Sequence, residues 1–166
     1  MRAWLLLTLL APLQAWTAED TPERAVSALW AALSHAPGAS ADTATLQRLL
    51  HAEAVVFGAH SRDGAPRLQR TPAEDFLRAT ARVSGKGFHE CEVSRTLQVY
   101  DRFAVAYSVV ESRTDKAASR PDIVGVNSVQ LYRDGSQWKV LSLYYHVETP
   151  GAPVPLDGGT SGECLA

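Results

Sequence analysis

The segment Ile123–Glu148 reads IVGVNSVQLYRDGSQWKVLSLYYHVE. Two runs rich in alternating apolar residues flank Asp134-Gly135, a two-residue turn signal. The segment is therefore expected to fold back as an antiparallel hairpin of strands Ile123–Arg133 and Ser136–Glu148. A tight turn at that dipeptide fixes the register. Leu131 then faces Trp138, Val129 faces Val140, Asn127 faces Ser142, Gly125 faces Tyr144 and Ile123 faces His146. One face carries an apolar base of Leu131, Trp138, Val129 and Val140, followed by a polar end of Asn127, Ser142, Tyr144, His146 and Glu148. The other carries Val124, Val126, Leu141, Leu143, Tyr145 and Val147. Neither face suits a sheet with one wet side. Helices can cover one, and the second calls for a partner, so a homodimer through the sheet is expected.

The flanking sequence extends this sheet. Phe88 to Val99 alternates, with His89, Cys91, Val93, Leu97 and Val99 on one face and Glu90, Glu92, Ser94, Thr96 and Gln98 on the other. Tyr100-Asp101-Arg102 reverses the chain and Phe103 to Arg113 returns. Before these strands the period becomes helical. Val26, Leu29, Trp30 and Leu33 form the i, i+3, i+4, i+7 stripe of a helix from Thr21 to about His35, with Thr21 as cap and Pro22 at its first position. Asp42 or Thr43 begins a shorter helix that buries Leu46, Leu49 and Leu50. Ala54–Gly58 reads as a short strand and His60–Gly64 as a loop. Thr71-Pro72-Ala73-Glu74 has the form of a capping box, opening a helix to about Val83 that buries Phe76, Leu77, Thr80 and Val83. Helices followed by antiparallel hairpins give an α+β domain with its helices on one face of the sheet.

The ends differ from this middle. Arg2 followed by the uncharged, Leu-rich run Ala3–Leu13 reads as a secretory signal peptide over residues 1–18. No cysteine lies near it for a lipoprotein anchor, and no later run approaches a membrane span, so a periplasmic or secreted protein is expected. Residues 150–166, rich in Gly and Pro, read as a flexible tail. The 166 residues carry a formal net charge of −2, which leaves no basic footprint for nucleic acid. The two cysteines, Cys91 and Cys164, are too few for a disulfide-built scaffold. In an oxidising compartment they either pair and pin the tail to the sheet, remain free, or bridge two chains.

Taken together, Thr71 to Arg82 as a third helix, Val110-Glu111-Ser112-Arg113 at a strand end, Gly125 to Leu131, and Asp134-Gly135-Ser136-Gln137-Trp138-Lys139-Val140-Leu141 resemble the nuclear transport factor 2-like superfamily. The resemblance covers residues 19–149. It implies a cone-shaped, cystatin-like α+β roll, three N-terminal helices on a strongly bent antiparallel sheet, with a pocket between helices and concave face. Members include ketosteroid isomerase, SnoaL-like polyketide cyclases, scytalone dehydratase and non-catalytic binding or dimerisation modules, so the fold leaves function open.

If the polar hairpin face is the concave one, Asn127, Ser142, Tyr144 and His146 line the pocket, with Trp138 and Phe76 beside them. His146, Tyr144 and Glu111 are the candidate catalytic set, since an imidazole near neutrality transfers protons and a phenol donates to a developing oxyanion. The alternative is that these groups are half-buried strand residues with backbone partners, and that Glu111 and Arg113 form an ion pair without chemistry. No spacing suits a metal, and there is no phosphate loop, dinucleotide fingerprint or nucleophile elbow, so no cofactor is expected. Three functions follow: a pocket binding a small apolar molecule without turnover, a cofactor-free isomerase, dehydratase or cyclase, or a dimerisation module with a filled cone.

Overall fold

The computed structural model describes residues 20–165, so the signal-peptide segment lies outside the described residues. Three helices, α1 (Pro22–Leu33), α2 (Thr43–Leu49) and α3 (Ala73–Thr80), accompany six strands. The strands are β1 (Leu50–Arg62), β2 (Ala65–Pro72), β3 (His89–Tyr100), β4 (Phe103–Arg113), β5 (Ile123–Asp134) and β6 (Gln137–Val147). They form one sheet in the order β2-β1-β6-β5-β4-β3, antiparallel throughout except that β1 runs parallel to β6. This is the expected α+β roll.

The first helix forms as its sequence dictates. The Thr21 hydroxyl accepts from Arg24 N–H at 3.3 Å and Pro22 occupies the first turn. Val26, Leu29, Trp30 and Leu33 are all buried against the sheet. Asp42 caps α2 by accepting from Thr45 N–H at 3.0 Å. The third helix departs from expectation. Pro72 stands at its N-cap without a side-chain cap bond, and Thr71 belongs to β2, opposite Val56. The helix ends at Thr80, leaving Val83 71% exposed rather than buried. The strand β2 was hidden in a polar stretch. It is an edge strand with little burial, so no hydrophobic alternation marks it.

The hairpin forms, but one step out of the expected register. Asp134 pairs with Gln137, so Gly135-Ser136 make the turn. Gly135 takes the left-handed backbone, φ 60°, that the turn needs. Leu131 consequently faces Val140, and Arg133 faces Trp138. A second irregularity follows, because Leu131 pairs with Val140 and Gln130 with Ser142, which leaves Leu141 as a bulge. A bulge adds one residue to one strand and exchanges its two faces from that point on. Trp138 and Val140 are buried, and beyond Leu141 it is Leu143 that continues inward while Ser142, Tyr144 and His146 take the other face.

The larger core lies between the helices and the concave face. Leu29, Leu46, Leu49, Leu131, Val129 and Val140 are fully enclosed in it, together with Trp138. A smaller core lies on the outer face, where Cys91, Val93 and Val109 are covered by Val154 and Leu156 of the tail. The tail, expected to be loose, is strapped down. Cys91 and Cys164 form a disulfide with a Cα–Cα distance of 5.0 Å. Leu165 N–H donates to the Glu92 carbonyl at 2.7 Å, and Gly162 N–H donates to Glu111 Oε2 at 2.9 Å. The Gly- and Pro-rich composition signalled an absence of regular structure, not of packing.

Candidate functional site

A cavity of about 610 Å³ opens between the helices and the mouth end of the sheet. Its floor is the inner face of β4, β5 and β6, with Val110, Gly125, Leu143 and Val147. Its roof is Trp30 and Leu33 from α1 and Phe76, Ala79 and Thr80 from α3. Apolar side chains dominate the lining, with a few polar groups set among them, as in small-molecule sites.

Two of those polar groups stand out. Glu90, the second residue of β3, pairs across the sheet with Ser112, whose hydroxyl donates to Glu90 Oε2 at 3.2 Å. Removal from water pushes the Glu90 carboxyl up to about 7, and the Ser112 hydrogen bond opposes this only in part. At neutral pH both of its protonation states are populated, the condition that a general acid or base needs. Asn127, on β5, is 5% exposed and lines the cavity.

The expected site residues separate into three groups. Asn127 and Phe76 line the cavity, and His146 reaches its rim. Ser142 and Tyr144 do not line it, because the bulge at Leu141 turns them to the outer face. There the Ser142 hydroxyl donates to Gln130 Oε1 at 3.0 Å, and Tyr144 Oη lies 3.2 Å from His146 Nδ1. Trp138 is buried in the core beneath the cavity and is not part of its lining. Tyr145, assigned by sequence to the outer face, takes the inward place, lining the cavity beside Gly58 of β1. A Cβ on Gly58 would collide with the Tyr145 ring, so the glycine makes room for that tyrosine.

Glu111 stands apart from the cavity, on the outer face under the tail. It is 1% exposed and pairs with Arg113 Nη2 at 2.8 Å. Burial opposes its charge, but hydrogen bonds from Ser161, Arg113 and the Gly162 N–H outweigh that and hold its carboxyl below the usual range. It is thus a structural anchor for the tail and has no access to the pocket. Glu92 has a comparable role on the inner face. Arg95 bridges it to α1, donating through Nη1 to the Glu23 carbonyl at 2.9 Å and through Nη2 to Ser27 Oγ at 2.9 Å, and Ser108 donates to the same carboxylate.

Sequence alternation put Glu90 on a polar face with Glu92 and missed it as a site residue. Their shared side is the concave one. The available signal was the run Glu90-Cys91-Glu92-Val93, in which two acids alternate with two apolar residues at the start of a long strand. Among the described residues no three His, Cys, Asp or Glu side chains stand together to hold a metal ion.

No protein-family model and no curated protein matches the chain. Solved structures do. A nuclear transport factor 2-like protein of unknown function from Shewanella baltica is 16% identical, over 75% of this chain and 91% of its own, with a TM-score of 0.53. A protein from Parabacteroides distasonis, provisionally named a ketosteroid isomerase, is 18% identical over 80% and 91%, TM-score 0.53. A protein of unknown function from Nostoc punctiforme with a cystatin-like fold is 13% identical over 68% and 80%, TM-score 0.50. At these identities the likeness concerns architecture: the chain has the nuclear transport factor 2-like fold, a cystatin-like α+β roll.

Proposed function

We propose that the chain binds a small, mostly apolar molecule in the cavity between its helices and concave sheet face. The observation that carries this reading is a cavity of about 610 Å³ that persists although Trp30, Phe76 and Trp138 are all packed around or beneath it. A filled cone, as a purely structural module would have, leaves no such space. The test is a thermal shift with 1-octanol, a probe with an apolar body and one hydroxyl. It raises Tm in the wild type and is recovered unchanged. Ala79→Trp, which adds an indole at the cavity wall on α3, abolishes the shift without lowering the unliganded Tm appreciably. No shift in the wild type, or an equal shift in the variant, removes the basis of the reading.

A second reading is cofactor-free proton transfer, as in an isomerase or dehydratase. The observation in its favour is Glu90, a carboxyl raised to about 7 at the cavity wall with His146 at the rim. It gives the acid–base role to Glu90 in place of the Tyr144 and His146 pair. Chemical change of a bound ligand, lost in Glu90→Gln, distinguishes turnover from storage or transport.

We further infer that the protein is exported by its first 18 residues and works as a dimer through the outer face. The tail already covers part of that face, at Cys91, Val93 and Val109. Tyr107 and Tyr144 remain exposed beside it. A monomer by light scattering at micromolar concentration would remove the dimer from the account.

A further inference from the structure

The chain treats its buried acids in two ways. Glu92 is bound by Arg95 and Ser108, and Glu111 by Arg113 and the Gly162 N–H. Glu90, half-buried at the cavity wall, has a neutral hydroxyl as its side-chain partner and no cation among the described residues. Asn127, a buried residue of the cavity wall, offers a second such group, since no hydrogen bond from the described residues occupies its carboxamide. A few polar groups set in an otherwise apolar cavity wall are where a ligand's own polar groups find their partners.

The sheet register sets the distance between the two. Asn127 pairs with Ser108, Gly125 with Val110, and Ile123 with Ser112, which in turn pairs with Glu90. Four residues along the strands, roughly 13 Å, and two strand spacings, roughly 10 Å, separate Asn127 from Glu90 before the sheet's curvature brings them together. The floor between them is apolar, made by Gly125 of β5 and Val110 of β4, which face each other across the sheet. Gly125 keeps it low: a Cβ there would stand 3.1 Å from the His146 carbonyl oxygen, at a point where the strands already crowd one another. Asn127 marks the inner end, next to the packed core at Leu143 and Val129, and Glu90 the outer end.

Resting on the binding reading above, we propose that the ligand is an elongated, uncharged apolar molecule with a hydrogen-bonding group at each end, Asn127 meeting the inner group and Glu90 the outer. The body crosses Gly125 and Val110 on its way from one to the other. Asn127 both donates and accepts, so the inner group is a hydroxyl, carbonyl or amide, not an ionic head. Glu90 likewise meets a neutral group in either of its protonation states.

The test compares two probes on the full chain by titration calorimetry, 1-octanol and 1,8-octanediol. A second hydroxyl carried into an apolar cavity without a partner weakens binding by tenfold or more, because its hydration is lost without replacement. With a partner waiting at each end, the diol binds at least as tightly as the mono-alcohol. Asn127→Leu, close in shape, then weakens the diol about tenfold and changes 1-octanol less than twofold. A diol that binds the wild type at least tenfold more weakly than 1-octanol overturns the two-ended site and leaves the binding reading intact. Equal losses for both probes in Asn127→Leu also overturn it. If neither probe binds the wild type, the binding reading itself fails, and this proposal with it.

Discussion

Replacing Glu90 by Gln probes the cavity's electrostatics without any ligand. The folded protein holds the Glu90 proton to about pH 7, against 4.5 for the free side chain. That difference of 2.5 units, at ~1.36 kcal/mol each, is about 3 kcal/mol. The direction follows from linkage. Because the folded state binds the proton more tightly than the unfolded state, this group's favourable contribution is complete below pH 4.5. It declines as pH rises from 4.5 to 7, and is gone above. Gln keeps the shape and can accept from Ser112, but it cannot ionise. Urea unfolding of wild type and Glu90→Gln between pH 4.5 and 8 isolates this group, since all other titrations cancel in the difference. The variant gains on the wild type as pH rises, by about 3 kcal/mol at pH 8 relative to pH 4.5. A difference that stays flat with pH, or that moves in favour of the wild type, refutes the claim that Glu90 is a desolvated, cation-free carboxyl.

Three further outcomes follow from the packing. Cys164→Ser opens a disulfide that spans 73 residues and loses about 4 kcal/mol by loop entropy; denaturant unfolding that shows under ~1 kcal/mol would mean that the other tail contacts suffice. Arg113→Ala strands the buried Glu111 carboxylate and loses roughly 3–5 kcal/mol at neutral pH, read from the same curves, while Arg113→Ala with Glu111→Gln recovers part of it. Gly58→Ala pushes the Tyr145 ring from its place and changes 1-octanol affinity by at least about threefold, with the fold intact by circular dichroism; unchanged affinity would show that the ring has no part in the wall.

The fold was legible because its strongest signals are local. Asp134-Gly135 between alternating runs, the Thr21-Pro22 helix start and the Val26, Leu29, Trp30, Leu33 stripe each depend on neighbours in sequence, and each element formed. The site was less legible because it depends on parity. One extra residue at Leu141 reverses which side chains of β6 face inward, and nothing in Val140-Leu141-Ser142 announces a bulge. Tyr144 and Ser142 were therefore expected in a pocket that holds Tyr145 and Leu143. The hairpin face of β5 kept its parity, which is why Asn127 was placed correctly. The same problem arose at β3, where the register shifts between Glu92 and Ser94. Glu90 looked solvated because an acid on an alternating strand usually is, and only the three-dimensional approach of the end of α1, whose Ser34 hydroxyl accepts from Glu90 N–H, half-buries it. The pairing of Cys91 with Cys164 was one of the alternatives the sequence left open, and it could not be chosen there because the tail's hold comes from residues more than fifty positions away, Cys91, Val93 and Glu111.

The most direct measurement is a crystal structure of the protein grown with 1-octanol. The expected result is one alkyl chain in the cavity, lying over Gly125 and Val110, with its hydroxyl within hydrogen-bond distance of Asn127 or Glu90. A cavity closed by Phe76 or Tyr145 turned inward, or holding only water while the alcohol binds elsewhere, would contradict it.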